Sequence, residues 1–192
     1  MTKIIGITGL IASGKTTLVN YLKDKNYKVF DSDFEVKKLY LDKNFLNKLK
    51  EVFPDAFQQN ILDKKHLAEI VFSNKEKKTE LENLIHPIIE KKCDNFIKEN
   101  INEEIIFLDV PLLFEVNWDK KCTDIILINI DKNIQKQRFL DRGGDSKIFD
   151  KIIQNQGNIK EKISKSNFIL NNNSSLKDFY NQIDKILKNK WT

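Results

Sequence analysis

One octapeptide restricts this chain more than any other stretch: Gly9-Leu10-Ile11-Ala12-Ser13-Gly14-Lys15-Thr16. It fits G-x-x-x-x-G-K-[ST], the pattern of a loop that cradles phosphates. Its flanks have the form such a loop needs. Lys3-Ile4-Ile5-Gly6-Ile7-Thr8 is a β-branched run that reads as a buried parallel strand. Thr17 to Lys23 is apolar at Leu18, Val19 and Leu22, the spacing of a helix. The glycines let the backbone turn tightly and bring its N–H groups onto phosphate oxygens. The helix N-terminus adds partial positive charge at the same place. Lys15 is suited to neutralise β/γ-phosphate charge, and the Thr16 hydroxyl to ligate Mg²⁺. Gly9, Ala12, Ser13, Gly14, Lys15, Thr16 and Thr17 are therefore the residues expected around the phosphates of ATP.

The chain has 192 residues, enough for one domain with a sizeable core. No apolar run approaches the roughly 18–20 residues of a membrane-spanning helix. The N-terminus enters a strand directly, with no room for a signal peptide, so a cytoplasmic location without membrane attachment is expected. Cys93 and Cys122 lack metal-ligand spacing and read as reduced, mostly buried thiols. The formal net charge is +5, from 33 basic and 28 acidic residues. The basic residues are nearly all lysine, scattered beside Asn, Ile and Glu, which describes solvated faces better than a nucleic-acid surface. No nucleic-acid partner is expected. Polyanionic small molecules such as nucleotides would still be attracted. A monomer or weak homo-oligomer is the expectation for assembly.

Strands are expected at 3–8, 27–30, 104–109, 124–130 and 168–170, with helices at 15–24, 131–141, 147–156, 158–165 and 176–187. Between the second and third strands the pattern is helical throughout: 34–41, a helix capped by Asn44 and running to Val52, one capped by Asp63, and one capped by Ser73 or Asn74 that reaches about Asn100 with a perturbation at Pro87. Five short apolar strands alternating with helices imply an α/β, P-loop NTPase-type fold. A parallel sheet is covered by helices on both faces. The expected organisation is one domain. Its core is about 1–33 and 102–192, with a helical insertion over about 34–101 that holds a second substrate and a lid over about 142–157. The loop, Asp31 and Asp33, and Asp109 each follow a strand, so all are expected at the carboxyl edge of the sheet, where ligands bind.

The loop alone does not distinguish kinases, GTPases and ATPases. No N-K-x-D guanine-reading motif is present. Glu104-Ile105-Ile106-Phe107-Leu108-Asp109 has the form of a Walker B strand. The only two arginines are Arg138 and Arg142, and with Gln135 they share one helical face. Their planar forks suit phosphate oxygens; the alternative is a surface ion pair with neighbouring acids. Gly143-Gly144 after them would let a lid close over ATP and exclude water. These features indicate a small-molecule kinase.

In Asp31-Ser32-Asp33, Ile61-Leu62-Asp63, His86-Pro87, Pro111-Leu112-Leu113-Phe114-Glu115, Gln135…Arg138…Arg142 and Phe168-Ile169-Leu170-Asn171 the chain resembles the dephospho-CoA kinase family. The resemblance covers Ile4 to about Asn172. It implies ATP-dependent phosphorylation of the ribose 3′-hydroxyl of dephospho-CoA, with Mg²⁺, giving coenzyme A. Carried over residue by residue, it implies that Asp33 orients the acceptor hydroxyl and takes its proton, or else caps the 34–41 helix. Lys15, Arg138 and Arg142 would spread the charge of the transferring group, with Arg142 also on ATP. Asp31, Asp33, His86, Leu113 and Glu115 would meet the acceptor, and Thr16 and Asp109 would hold Mg²⁺, Asp109 directly or through water. His86 reads equally as a kink residue hydrogen-bonded in the core, and Leu112, Leu113 and Phe114 as packing. Ala12 departs from a family glycine and Lys64 from an arginine. The family's lid segment R-I-x-x-Q is here Lys151-Ile152-Ile153-Gln154-Asn155-Gln156, without arginine. Lys151 or Lys147 would stand in, and the glutamine is Gln154 or Gln156. A nucleoside or nucleotide kinase is the alternative within the fold; a regulatory or nucleic-acid-binding module is the alternative outside it.

Overall fold

The computed structural model describes residues 1–155 and 159–190. They divide into two compact units, Met1–Asp31 with Asn100–Thr192, and Ser32–Glu99.

The first unit contains β1 (Lys3–Gly9), α1 (Lys15–Asp24) and β2 (Lys28–Asp31); the second contains α2 (Ser32–Leu39), α3 (Lys43–Val52), β3 (Phe57–Gln58), β4 (Ile61–Leu62), α4 (Lys64–Ser73) and α5 (Lys75–Glu99). The chain then returns to the first unit with β5 (Ile105–Asp109), β6 (Asp124–Asn129), α6 (Lys132–Asp141), α7 (Ser146–Asn155), α8 (Ile159–Ser164), β7 (Phe168–Asn171) and α9 (Leu176–Lys190). Among the described residues, five strands form a parallel sheet in the order β2-β5-β1-β6-β7. β1 lies at the centre, which explains the burial of Ile5 through Gly9: a parallel strand covered on both faces has no solvent side.

Side chains alternate across the sheet. Ile5 and Ile7 point to one face and pack with Leu18 and Leu22 of α1, Phe107 of β5, Ile126 and Ile128 of β6, and Phe179 and Ile183 of α9. Tyr21 and Tyr180 stack beside them with ring centroids 4.1 Å apart. Gly6 points to the other face. A Cβ there would lie 2.8 Å from both Leu113 Cδ2 and Cys122 Sγ, so the missing side chain makes room for them. Burial, with the Asp119 charge beside it, pushes the Cys122 thiol up to about 12, in keeping with a packing role.

The helical unit differs from its sequence pattern in detail. α2 starts at Ser32, so Asp33 lies in its first turn and is not its cap. Asp42, not Asn44, caps α3, accepting from Phe45 N at 2.9 Å. Asp63 and Asn74 cap as expected. The polar turn at Gln59 and Asn60, both at positive φ, closes a two-stranded hairpin that no apolar run announces. α5 continues through Pro87.

Glu35 ties α2 to α5, accepting from Lys38 Nζ at 2.8 Å and Lys92 Nζ at 2.7 Å. Burial works to raise its carboxyl, and these two hydrogen bonds outweigh it, holding Glu35 below its ordinary value of 4.5. A carboxylate depressed in the folded state stabilises above its unfolded value and loses that contribution as pH falls through the lower folded value. The stability difference between wild type and Glu35→Gln is therefore expected to be largest at neutral pH and smaller at an acid pH below the ordinary 4.5. Denaturant titrations at the two pH values measure it.

Candidate active site

β1 ends at Gly9, and the chain turns before entering α1. Ser13 N donates to Leu10 O at 3.1 Å, closing that turn. Ser13 is 1% exposed, and its hydroxyl has no hydrogen-bond partner among the described residues. A Cβ on Gly9 would come within 2.7 Å of Ser13 Oγ and 3.1 Å of Ile128 O. Gly9 and Ser13 are expected around the phosphates from sequence. Their placement makes them the floor of the loop: the Ser13 donors are used or buried, and Gly9 is needed for close approach. Ala12 takes φ +57° and Gly14 φ +104°. A left-handed alanine costs about 1–2 kcal/mol, a cost that glycine at the same position would not carry. Lys15, Thr16 and Thr17 form the first turn of α1, with Thr16 exposed.

Lys15 Nζ donates to Asp109 Oδ1 at 2.8 Å, joining the loop to the last residue of β5. In the strand register Asp109 sits beside Ile7 of β1 on one side and Asp31 of β2 on the other. Asp31 lies 3.7 Å from Lys23 Nζ. The carboxyl edge of the sheet thus carries a phosphate loop, its lysine and two adjacent aspartates within one unit. Thr8 Oγ1 donates to Pro111 O at 3.2 Å, anchoring the loop that follows Asp109.

α6, capped by Asp131 through Asn133 N at 2.8 Å, carries Gln135 and Arg138, and Arg142 is its C-cap. Gln135 is buried and donates to Ile11 O at 2.7 Å. Arg138 and Arg142 form no ion pair among the described residues; the neighbouring Asp141 accepts instead from Gln137 Nε2 at 2.7 Å. This removes the ion-pair alternative for them. Of the glycine pair that would let a lid close, Gly143 takes φ +81° with open space around it, while Gly144 has a packing reason. A Cβ on Gly144 would meet the Phe139 ring at 2.2 Å, and Phe139 in turn contacts Phe149 of α7, with centroids 5.5 Å apart. Gln156, and the side chains of Lys147, Lys151 and Gln154, lie outside the described residues.

Leu113 is 0% exposed beneath the sheet at Gly6. This placement accords with the packing alternative for Leu113. Glu115 Oε1 accepts from Lys162 Nζ of α8 at 2.6 Å, and the Lys162 side chain is only 7% exposed. Lys162 also lies 6.0 Å from the centre of the Phe114 ring. Sequence reading missed Lys162, one lysine among many. In the helical unit Asp33 is exposed, with no hydrogen bond or ion pair among the described residues. His86 is exposed on α5, so the reading of it as a hydrogen-bonded core residue does not hold.

A phosphate loop and a strand-end aspartate are shared by many kinases. Comparison with known proteins decides among them: a family model described as dephospho-CoA kinase matches residues 3–178. The chain belongs to the dephospho-CoA kinase family. A dephospho-CoA kinase from Fusobacterium nucleatum is 38% identical over 192 residues, covering 95% of each chain. A solved Thermus thermophilus protein is 30% identical with a TM-score of 0.85, covering 97% of this chain and 96% of the other. The solved dephospho-CoA kinase from Campylobacter jejuni is 28% identical with a TM-score of 0.74, covering 100% and 98%. The two-aspartate edge and the Lys15 contact are thus features of a member of the dephospho-CoA kinase family, an α/β P-loop kinase.

Proposed function

We propose that this chain transfers the γ-phosphoryl group of ATP to the ribose 3′-hydroxyl of dephospho-CoA, giving coenzyme A and ADP, the last step of coenzyme A synthesis. The observation that carries this reading is the contact of Lys15 with Asp109 at the end of a phosphate loop, in a chain matched along nearly its whole length by the family.

Loop N–H groups and Lys15 bind and orient the β- and γ-phosphates. Arg138 and Arg142 spread the charge on the transferring group, which a guanidinium fork does well. Asp33 orients the acceptor hydroxyl and takes its proton as the oxygen bonds to phosphorus and the bond to the β-phosphate oxygen breaks. Asp31, His86 and Glu115 contribute to acceptor binding, with Lys162 fixing one oxygen of Glu115. The helical unit 32–99 and the segment 142–157 serve as acceptor-binding insertion and lid. Thr16 and Asp109 offer a hydroxyl and a carboxylate, hard oxygen donors that fit Mg²⁺. No group of three potential metal-ligating acids, histidines or cysteines occurs among the described residues, which suits an ion that takes its other ligands from phosphate and water. Bound there, Mg²⁺ would neutralise phosphate charge. The enzyme works in the cytoplasm in this reading; no helix among the described residues is long and apolar enough to cross a membrane.

The test is a coupled ADP-release assay over a panel of acceptors. Dephospho-CoA is expected to give the highest kcat/KM. Equal or faster turnover of a nucleoside monophosphate would favour a nucleotide kinase instead.

A further inference from the structure

Two buried side-chain amides, from the segments that follow the neighbouring strands β6 and β7, grip the backbone of the phosphate loop. Gln135 of α6, 2% exposed, donates from Nε2 to Ile11 O at 2.7 Å. Asn172, 7% exposed and one residue past β7, donates from Nδ2 to Ser13 O at 2.8 Å. Asn172 is itself fixed, because its N–H extends the strand ladder to Asn129 O at 2.9 Å. Its Nδ2 lies 2.2 Å from where a Cβ on Gly14 would be, so the glycine of the motif leaves space for this amide.

We infer that Asn172 and Gln135 are positioning residues that set the phosphate-binding geometry of the loop. Every described peptide bond is trans. A trans unit points its carbonyl and the following N–H in opposite directions. Holding Ile11 O on Gln135 therefore turns the Ala12 N–H away from Gln135. Holding Ser13 O on Asn172 likewise turns the Gly14 N–H away from Asn172. Ala12 and Gly14 are the two loop residues at positive φ, where no regular ladder fixes a peptide plane. The intervening Ser13 N–H is occupied by Leu10 O. Carbonyls 11 and 13 are tied down by side chains, and N–H groups 12 and 14 are left facing the other way, as an anion requires. Gln135 has a second effect: it ties the helix that carries Arg138 to the same loop, so the two sets of phosphate donors share one anchor.

The inference rests on reading Gly9–Thr16 as the ATP site, and the experiment separates the two. Asn172→Asp keeps size and shape but cannot donate while ionised. Its KM for ATP is expected to rise on the order of tenfold, the effect of leaving one buried carbonyl unpaired. The KM for dephospho-CoA should stay near wild type. As pH falls the new carboxyl protonates and regains a donor, so the deficit should shrink, whereas that of Asn172→Ala should not. A space-filling role alone would give Asn172→Asp wild-type behaviour. Wild-type ATP affinity in Asn172→Asp, or an equal rise in both KM values, overturns the inference. Gln135→Glu applies the same test from another element and decides the matter if Asn172→Asp does not fold. Titration calorimetry with ATP provides the control: wild type that binds no ATP overturns the functional reading and this inference together, while equal binding by wild type and variant overturns only the inference.

Discussion

Asp33→Asn is expected to reduce kcat by roughly 10²–10⁴-fold, the usual contribution of a positioned general base, with almost no change in stability. The combination is informative because Asp33 is exposed, lies in the first turn of α2 and makes no hydrogen bond or ion pair among the described residues. Among the described residues its structural contribution is that of an acid near a helix N-terminus, about 0.3–1 kcal/mol. Asparagine preserves the shape and hydrogen-bonding reach and removes the basicity. Steady-state turnover with saturating ATP and dephospho-CoA, alongside a thermal melt, measures both quantities. Near-normal turnover would remove Asp33 from its assigned role. A large drop in melting temperature would show that the residue has a structural partner.

Lys15→Ala is expected to abolish turnover in practice, by about 10²–10³-fold or more, the scale for removing one preorganised donor to developing charge. Unlike Asp33→Asn, it should also destabilise the fold. Lys15 Nζ lies 2.8 Å from Asp109, whose side chain is almost wholly buried. Removing the ammonium takes this hydrogen-bonded contact away from a buried carboxylate, at a cost of about 1–3 kcal/mol. Adding Asp109→Asn to Lys15→Ala should recover stability and leave turnover lost. Urea titrations of the single and double variants test this. If Lys15→Ala is as stable as wild type, the ion pair is not a structural element.

The two aspartates differ because of where the chain puts them, and only part of that is legible in sequence. Asp109 ends a run of four buried apolar residues, so its place at a parallel strand end follows from local pattern. The phosphate loop is equally legible, because motif, preceding strand and following helix agree. The start of α2 is not. Asp31-Ser32-Asp33 is polar and resembles a loop, yet the helix begins at Ser32. The Asp42 cap was missed because Asn44 two residues later is an equally good capping type. The hairpin at Gln59 and Asn60 has two-residue strands, too short for any alternation to show.

The residues around the loop illustrate a second limit. Leu113 belongs to a motif that resembles an acceptor-binding segment, and only the register that puts Gly6 beneath it shows that it packs. Lys162 is indistinguishable by sequence from the solvated lysines, and its burial against Glu115 depends on a contact spanning 47 positions. Asn172 lies in a run of asparagines that reads as an ordinary loop, and its partner Ser13 is 159 residues away. Gln135 was visible as a neighbour of the arginines, but its contact with Ile11 O was not. Local periodicity locates elements; pairings across the chain determine which polar groups are functional.

Phosphorylation of one hydroxyl of one acceptor is the central expectation for this site. The most direct measurement is the fate of labelled γ-phosphate when the protein is incubated with ATP, Mg²⁺ and dephospho-CoA. The expected result is one label per acceptor, carried on the ribose 3′-oxygen, with little inorganic phosphate. Label released mainly as inorganic phosphate, or attached at another position, would contradict it.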